Sequence, residues 1–269
     1  MAYHINLYRR LISVRLRSQL QYRTSFLFEL FSTGLISLLE FGSLGLVFDR
    51  FHNLGGWSLG EVAFLYGLVE AAFGVMDMVF SGFDPQWFGA LVRRGNFDQL
   101  LLRPINITLQ VLGADFALRR VGKITIGIAI FGIALNLVDI DWTLAKVLYL
   151  PIVIISMVCF FGGLFIIGAS ITFWTIESIE VVNIFTYGGS YLISHPMHIY
   201  WSWLRRFFTY IVPAIFLNYY PALYFLDKPD PFGLPSFAPF LAPFAGFGIL
   251  AAALAFWRYA IQHYQSTGT

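Results

Sequence analysis

Charge is what this sequence has least of. Asp, Glu, Lys and Arg make up 12% of its 269 residues, against about 25% in soluble domains, too few to cover a water-facing surface of this size. Cysteine is almost missing as well. Cys159 stands alone, which excludes a disulfide scaffold, and within its apolar run it reads as a small core residue. No Gly-x-x-x-x-Gly-Lys-Ser/Thr loop occurs, so the chain has no recognisable nucleotide site of its own. No His-Glu-x-x-His pair or cysteine cluster suggests a metal. His195 and His198 are three apart, but Pro196 between them breaks the helical geometry that would bring them together. What abounds is apolar: 58% of residues are hydrophobic, 19% aromatic, and the mean hydropathy is +0.71. Disorder and collagen-like structure are excluded, and an integral membrane protein remains.

Charge-free intervals mark the spans. Lys146 to Glu177 leaves 30 residues without Asp, Glu, Lys or Arg, Glu180 to Arg205 leaves 24, Arg206 to Asp227 leaves 20, and Asp230 to Arg258 leaves 27. Lys123 to Asp139 leaves 15. A bilayer core needs about 20 helical residues, so most of these are long enough to cross. Phe26–Phe48 and Val62–Phe83 are also apolar, interrupted by Glu40 and by Glu70 and Asp77. These lengths predict an all-α membrane protein, since barrel strands would alternate over about ten residues. Pro151 is placed in the first turn of its helix, where a missing N–H costs nothing. Gly162, Gly163 and Gly168 are read as points where neighbouring helices approach closely.

Basic residues set the orientation. Arg9, Arg10, Arg15, Arg17 and Arg23 precede the first span, and Arg93, Arg94, Arg103, Arg119, Arg120 and Lys123 follow the second, 11 of the 17 in all. Both segments are expected in the cytoplasm. The first hairpin tip and Asp139–Lys146 then lie outside, and Glu177–Glu180 inside. In Tyr3–Gln21, Leu7, Tyr8, Leu11, Ile12 and Leu16 interleave with arginines, the pattern of a helix lying among lipid headgroups rather than of a cleaved signal. Tethered there, these arginines predict lipid contact and no nucleic-acid partner.

Phe207–Leu226 admits two readings. As a span it would give seven crossings and an external C-terminus. Pro213, Pro221, Asn218 and four tyrosines instead suit a broken, re-entrant segment at an aromatic interface. Six spans with both termini cytoplasmic is the reading taken, with Arg205 and Arg206 outside.

The loop after the second span is the most informative stretch. Asp84-Pro85 reads as an N-cap with proline at the first helical position. Trp87, Phe88, Leu91 and Val92 form one apolar stripe, Arg93 and Arg94 occupy the last turn, and Gly95 stops the helix. Such a helix can lie on lipid or dock in a protein groove. Elsewhere, Glu40, Glu70 and Asp77 would be costly in lipid and must face protein or water. They are candidates to line a path for cationic or zwitterionic cargo, or to relay protons in a gradient-driven carrier or channel. Asn106-Ile107-Thr108 matches a glycosylation acceptor but falls in the cytoplasmic loop. No polar constellation at depth suggests catalysis, so an enzyme is not expected.

Val92-Arg93-Arg94-Gly95-Asn96-Phe97-Asp98-Gln99-Leu100-Leu101-Leu102-Arg103-Pro104 resembles the "VRxGxxDxxLLRP" segment of type-2 ABC exporter permeases, most closely the short subfamily of about 260 residues. The tail ending Gln21-Tyr22-Arg23-Thr24-Ser25-Phe26, the Phe173-Trp174 pair followed by Glu177, and Trp203-Leu204-Arg205-Arg206 before Pro213 are also similar to that subfamily, with Ser202 where a glycine is usual. The resemblance covers essentially the whole chain. It implies a transmembrane subunit at the plasma or inner membrane: residues 1–24 an interfacial elbow helix, 25–269 a single six-helix domain, and 84–120 the coupling-helix loop. It implies an outer re-entrant gate with Trp203, Arg205, Arg206 and Pro213. Coupling to the ATPase would fall on Pro85, Trp87, Phe88, Leu91, Val92, Arg93, Arg94, Gly95, Asp98, Arg103 and Pro104. The implied partners are two ABC ATPase subunits, which hold ATP and Mg, and a second permease, identical or different. This chain would bind no cofactor itself.

Overall fold

The computed structural model describes residues 2–175 and 180–266. Of the segment Glu177–Glu180 expected to face inward, residues 177–179 lie outside the described residues. Helix α1 (Ala2–Gln21) bends at Tyr22 into α2 (Arg23–Phe51), which ends with His52 in the left-handed region. Ser58 opens α3 (Leu59–Phe80) with a capping box: its hydroxyl accepts from the Glu61 N–H at 3.3 Å, and the Glu61 carboxylate accepts from the Ser58 N–H at 2.8 Å. Three short helices follow, α4 (Pro85–Arg93), α5 (Asn96–Leu101) and α6 (Ile107–Ala114). Then come α7 (Val121–Leu137) and α8 (Leu144–Thr175).

Among the described residues, five helical stretches are long and apolar enough to cross a membrane: 23–51, 59–93, 118–137, 144–175 and 238–262. The core is built around α3, whose Val62, Ala63, Phe64, Leu65, Ala72 and Met76 are fully buried. Helix α7 packs on one side of it and α8 on another, and α13 (Ala242–Gln262) packs along α8. Glycines permit this closeness. A Cβ on Gly67 would lie 2.5 Å from the Phe131 nitrogen, and one on Gly127 would lie 2.5 Å from the Ala71 nitrogen. The glycines of α8 behave as their sequence suggested: Gly162 faces Phe80, Gly163 faces Ile249, and Gly168 faces Pro85 and Val182.

Pro151 departs from expectation, because α8 begins seven residues earlier, at Leu144. Thr143 accepts from the Lys146 N–H at 3.3 Å, and the Lys146 ammonium, 3% exposed, donates to Phe225 O at 3.0 Å and to Asp227 at 2.6 Å. A charge taken as the edge of a span is instead drawn into the protein. The proline therefore interrupts an established helix, leaving one carbonyl without its intrahelical partner.

Between α8 and α13 the chain is broken. Helix α9 (Glu180–Asn183), a π-turn (Ile184–Gly188) and α10 (Gly189–Ile193) form one apolar rod of about 21 Å, shorter than a bilayer core. Then follow a 3-10 turn (Met197–Ile199), α11 (Ser202–Tyr210), a second 3-10 turn (Ala214–Leu217) and α12 (Tyr219–Phe225). Asn218, fully buried, joins this stretch to the bundle: its amide donates to Leu65 O at 3.1 Å and to Ile193 O at 2.8 Å. Ser202 is the first residue of α11, a helical position that needs no glycine.

Both ends of the described chain gather beside α4–α6. Gln19 of α1 donates to Phe116 O at 2.7 Å, and Ser266 donates to Asp98 at 2.6 Å. Gly67→Ala should lower the thermal unfolding midpoint in detergent, by the equivalent of ~1–3 kcal/mol, although alanine favours helix. Gly45→Ala, where an added Cβ meets nothing within 4 Å, should leave it unchanged. Equal midpoints for both would contradict the close crossing.

Candidate functional site

Two ion pairs stitch α3 to the start of α7. Arg120 Nε lies 2.8 Å from Asp77 Oδ2, and Lys123 Nζ lies 3.2 Å from Glu70 Oε2, with both carboxylates buried. The acids are two turns apart on α3 and the bases one turn apart at the start of the antiparallel α7, about 10 Å against about 5 Å along the axes, and the long basic side chains make up the difference. Lys123 also sits 4.9 Å from the centre of the Phe73 ring.

The third acid is held differently. Tyr66 places its hydroxyl 3.1 Å from Glu40 Oε2 and 3.0 Å from Ser37 O, while Ser37 donates to Glu70 Oε2 at 3.3 Å. Glu40, Glu70 and Lys123 then share a cavity of about 130 Å³ with Tyr187 and Ser190 of the α9–α10 rod and Ser194 just after it. Glu40 and Glu70 thus meet at one polar cavity between candidate spans, with Lys123 matching one of their two charges. Asp77 is not among its lining residues, and its buried carboxylate serves the Arg120 pair.

The loop helix is capped as the sequence indicated. Asp84 Oδ1 accepts from the Gln86 and Trp87 N–H groups, each at 3.0 Å, with Pro85 at the first position. Gly95 adopts φ +67° just beyond the helix. The second Asp84 oxygen accepts from the Tyr187 hydroxyl at 3.4 Å. The π-turn that carries Tyr187 therefore reaches both the polar cavity and the cap of α4. Turns of this kind recur at functional sites.

The apolar stripe does not face outward as a unit, which corrects the sequence expectation. Phe88 and Val92 are buried in the chain itself, whereas Trp87 and Leu91 are half-buried. Phe88 belongs to an aromatic cluster, with ring centres 5.7 Å from Phe97, 5.5 Å from Phe173 and 5.5 Å from Trp257. Trp257 in turn donates to Thr108 at 3.1 Å, and Asn106 caps α6, giving the glycosylation-like triplet a structural role. The cluster fixes α4 and α5 to α8 and α13. What remains at the surface is Arg93, Arg94, Leu102, Arg103 and Pro104, with Leu102 85% exposed. Asp98 is half-buried and accepts from Ser266.

At the opposite end, Trp203 is exposed on α11, Arg206 is exposed beside it, and the Arg205 guanidinium lies 4.2 Å over the Phe232 ring. Pro213 separates α11 from the turn that follows. His198 stacks on Trp57 at 6.1 Å, Tyr219 stacks on the same ring at 5.6 Å, and Lys228 pairs with Glu61 at 2.6 Å. Burial pushes the His198 imidazole below its ordinary range, and Lys228 and Arg205 add to that effect.

Lys123, Arg120 and Tyr187 were not singled out from sequence as site residues, and Asn218 was read only as a sign of a broken segment. The two bases had been counted only as cytoplasmic charge. The seven-residue spacing of Glu70 and Asp77 against the three-residue spacing of Arg120 and Lys123 was the available signal.

The family described as ABC-2 family transporter protein matches residues 35–268, from within α2 to beyond α13. No curated protein and no solved structure matches the chain.

Lys123→Met should destabilise the protein by ~3–5 kcal/mol, since it leaves the Glu70 carboxylate buried and unpaired. The double variant Lys123→Met/Glu70→Gln should recover most of that loss in the same unfolding assay. A double variant as unstable as the single one would mean that the pair is not the operative contact.

Proposed function

This chain belongs to the ABC-2 family of transporter proteins, as a multi-pass permease component of an ABC transporter, and we propose that it serves an exporter. In this reading substrate moves outward across the plasma or inner membrane, driven by ATP hydrolysed on two separate ATPase subunits that hold the nucleotide and its Mg. The chain itself catalyses nothing. It works beside a second permease, identical or different. Six spans are proposed: the five long helices and a sixth crossing whose core is the short α9–α10 rod, completed by the chain on either side of it, with residues 197–226 dipping back from outside as a re-entrant gate that carries Trp203, Arg205, Arg206 and Pro213. Both termini and the loop at 84–120 are cytoplasmic. Residues 1–24 form the interfacial elbow, and 25–269 the membrane domain.

The observation that carries the coupling assignment is the division of α4 and its neighbours into a buried and an exposed side. Phe88 and Val92 lock the loop to α8 and α13, while Arg93, Arg94, Leu102 and Arg103 stand free at the surface. A displacement delivered to that surface by an ATPase passes into the spans through packed rings rather than through a flexible loop. Packed contacts of this kind switch between discrete arrangements instead of bending smoothly. Trp87 and Leu91 complete the docking edge, Pro85 and Gly95 bound it, and Asp98 and Pro104 shape the turn after it. Glu40 and Glu70 then line part of the cargo path, which favours positively charged or zwitterionic substrates. The same two acids would be the proton sites of a gradient-driven carrier, the second reading that their shared cavity with Lys123 keeps in view.

Purification from native membranes in mild detergent should recover a stoichiometric P-loop ATPase. Arg94→Glu/Leu102→Asp should release that ATPase and abolish transport without changing the unfolding midpoint, because both side chains lie at the surface. Phe88→Ala should instead cost ~3–5 kcal/mol of stability. A homo-oligomer free of any ATPase would overturn the exporter reading and direct attention to proton-coupled flux through Glu40 and Glu70.

A further inference from the structure

Where α1 turns into α2 at Tyr22, a polar cleft of about 330 Å³ opens at the edge of the bundle. Arg15 of α1, Glu29 of α2, and Asp115 and Arg119 of the linker before α7 line it, with the Ser18 and Ser25 hydroxyls between them. Gln19 holds the walls in place, donating to Phe116 O at 2.7 Å and accepting from the Leu118 N–H at 3.2 Å. The cleft is thus braced by contacts that do not depend on an occupant.

Its charges are matched in number yet not joined. Two cations and two carboxylates line one space, and among the described residues none of the four lies within ion-pairing distance of an opposite charge. Glu29 is the telling member. It is exposed about 9 Å along α2, at the level where Leu27, Phe28 and Phe31 also stand exposed and the lipid-facing surface of that helix begins. A carboxylate at the margin of hydrocarbon is costly unless a cation meets it.

We propose that this cleft binds the headgroup of a zwitterionic aminophospholipid from the leaflet at the α1 end of the bundle. The phosphate sits toward Arg15 and Arg119, and the primary ammonium toward Glu29 and Asp115. The pairing follows from chemistry. An anionic glycerol headgroup satisfies the arginines but leaves both carboxylates unmatched. A quaternary choline brings a positive charge but no N–H to donate. Only a headgroup with both a phosphate and a hydrogen-bonding ammonium complements all four groups. The inference does not depend on the cargo or on the ATPase.

The test uses the full chain in its purified complex, delipidated in detergent and offered equal amounts of dioleoyl phosphatidylethanolamine, phosphatidylcholine and phosphatidylglycerol. Retained lipid is read by native mass spectrometry. Phosphatidylethanolamine should be retained about fivefold over each of the others, the effect of roughly one charge at a membrane surface. Glu29→Gln should erase the preference over phosphatidylcholine, and Arg119→Gln should lower retention of both lipids alike. Equal retention of the three lipids, a preference for phosphatidylglycerol, or an unchanged preference in Glu29→Gln would each overturn the proposal. If Glu29→Gln fails to fold, Asp115→Asn replaces it and must show the same loss.

Discussion

Hydrocarbon offers nothing to a carboxylate, and the central helix of this protein carries two of them in its interior. Glu70 and Asp77 have to find cations within the protein, and Lys123 and Arg120 are those cations. The two pairs favour one register of α7 on α3, because a slip along either helix lengthens one of them. The facing Gly67 and Gly127 contact then becomes possible, since only helices already aligned can approach to the backbone distances found there. The charges specify the alignment, and the small residues turn it into close packing. The rest of the bundle, α8 and then α13, is laid against that pair.

A second constraint acts at the loop end. A helix of nine residues is too short to hold itself, and α4 is held by what surrounds it. Asp84 supplies the first-turn acceptor, and Phe88 enters a cluster shared with Phe97, Phe173 and Trp257. The cluster joins the adjacent α4 and α5 to α8 and α13, which are distant in sequence, so the loop is tied to those two long helices. Tyr187, on its π-turn, extends the same connection toward the polar cavity.

Much of this was legible in the residues themselves. Apolar length indicated the long helices, and Asp84-Pro85 followed by Gly95 defined both ends of α4, because caps are local chemistry. The α4–Pro104 segment also pointed to the family that the comparison then matched. Other features depended on partners that the sequence does not name. Lys123 and Lys146 looked like span boundaries, although each is drawn inward by an acid more than fifty residues away. Periodicity put Phe88 and Val92 on one face with Trp87 and Leu91, but period alone cannot tell a face turned to its own protein from one turned to another. The stretch from Glu180 to Phe225 resisted because its order rests on single long-range contacts such as Asn218 to Leu65 and Ile193.

Helix α8 is longer than the bilayer needs. Its 32 residues make a rod of about 48 Å, half as long again as a bilayer core is thick. One end touches the aromatic cluster through Phe173, the other is moored by Lys146 to Asp227, and near its middle Ser156 and Gly163 rest against Gly246 and Ile249 of α13. Held at both tips as well as along α13, the rod tilts only if those contacts move together, and a tilt of about 5° about its middle would carry the two tips roughly 2 Å in opposite directions.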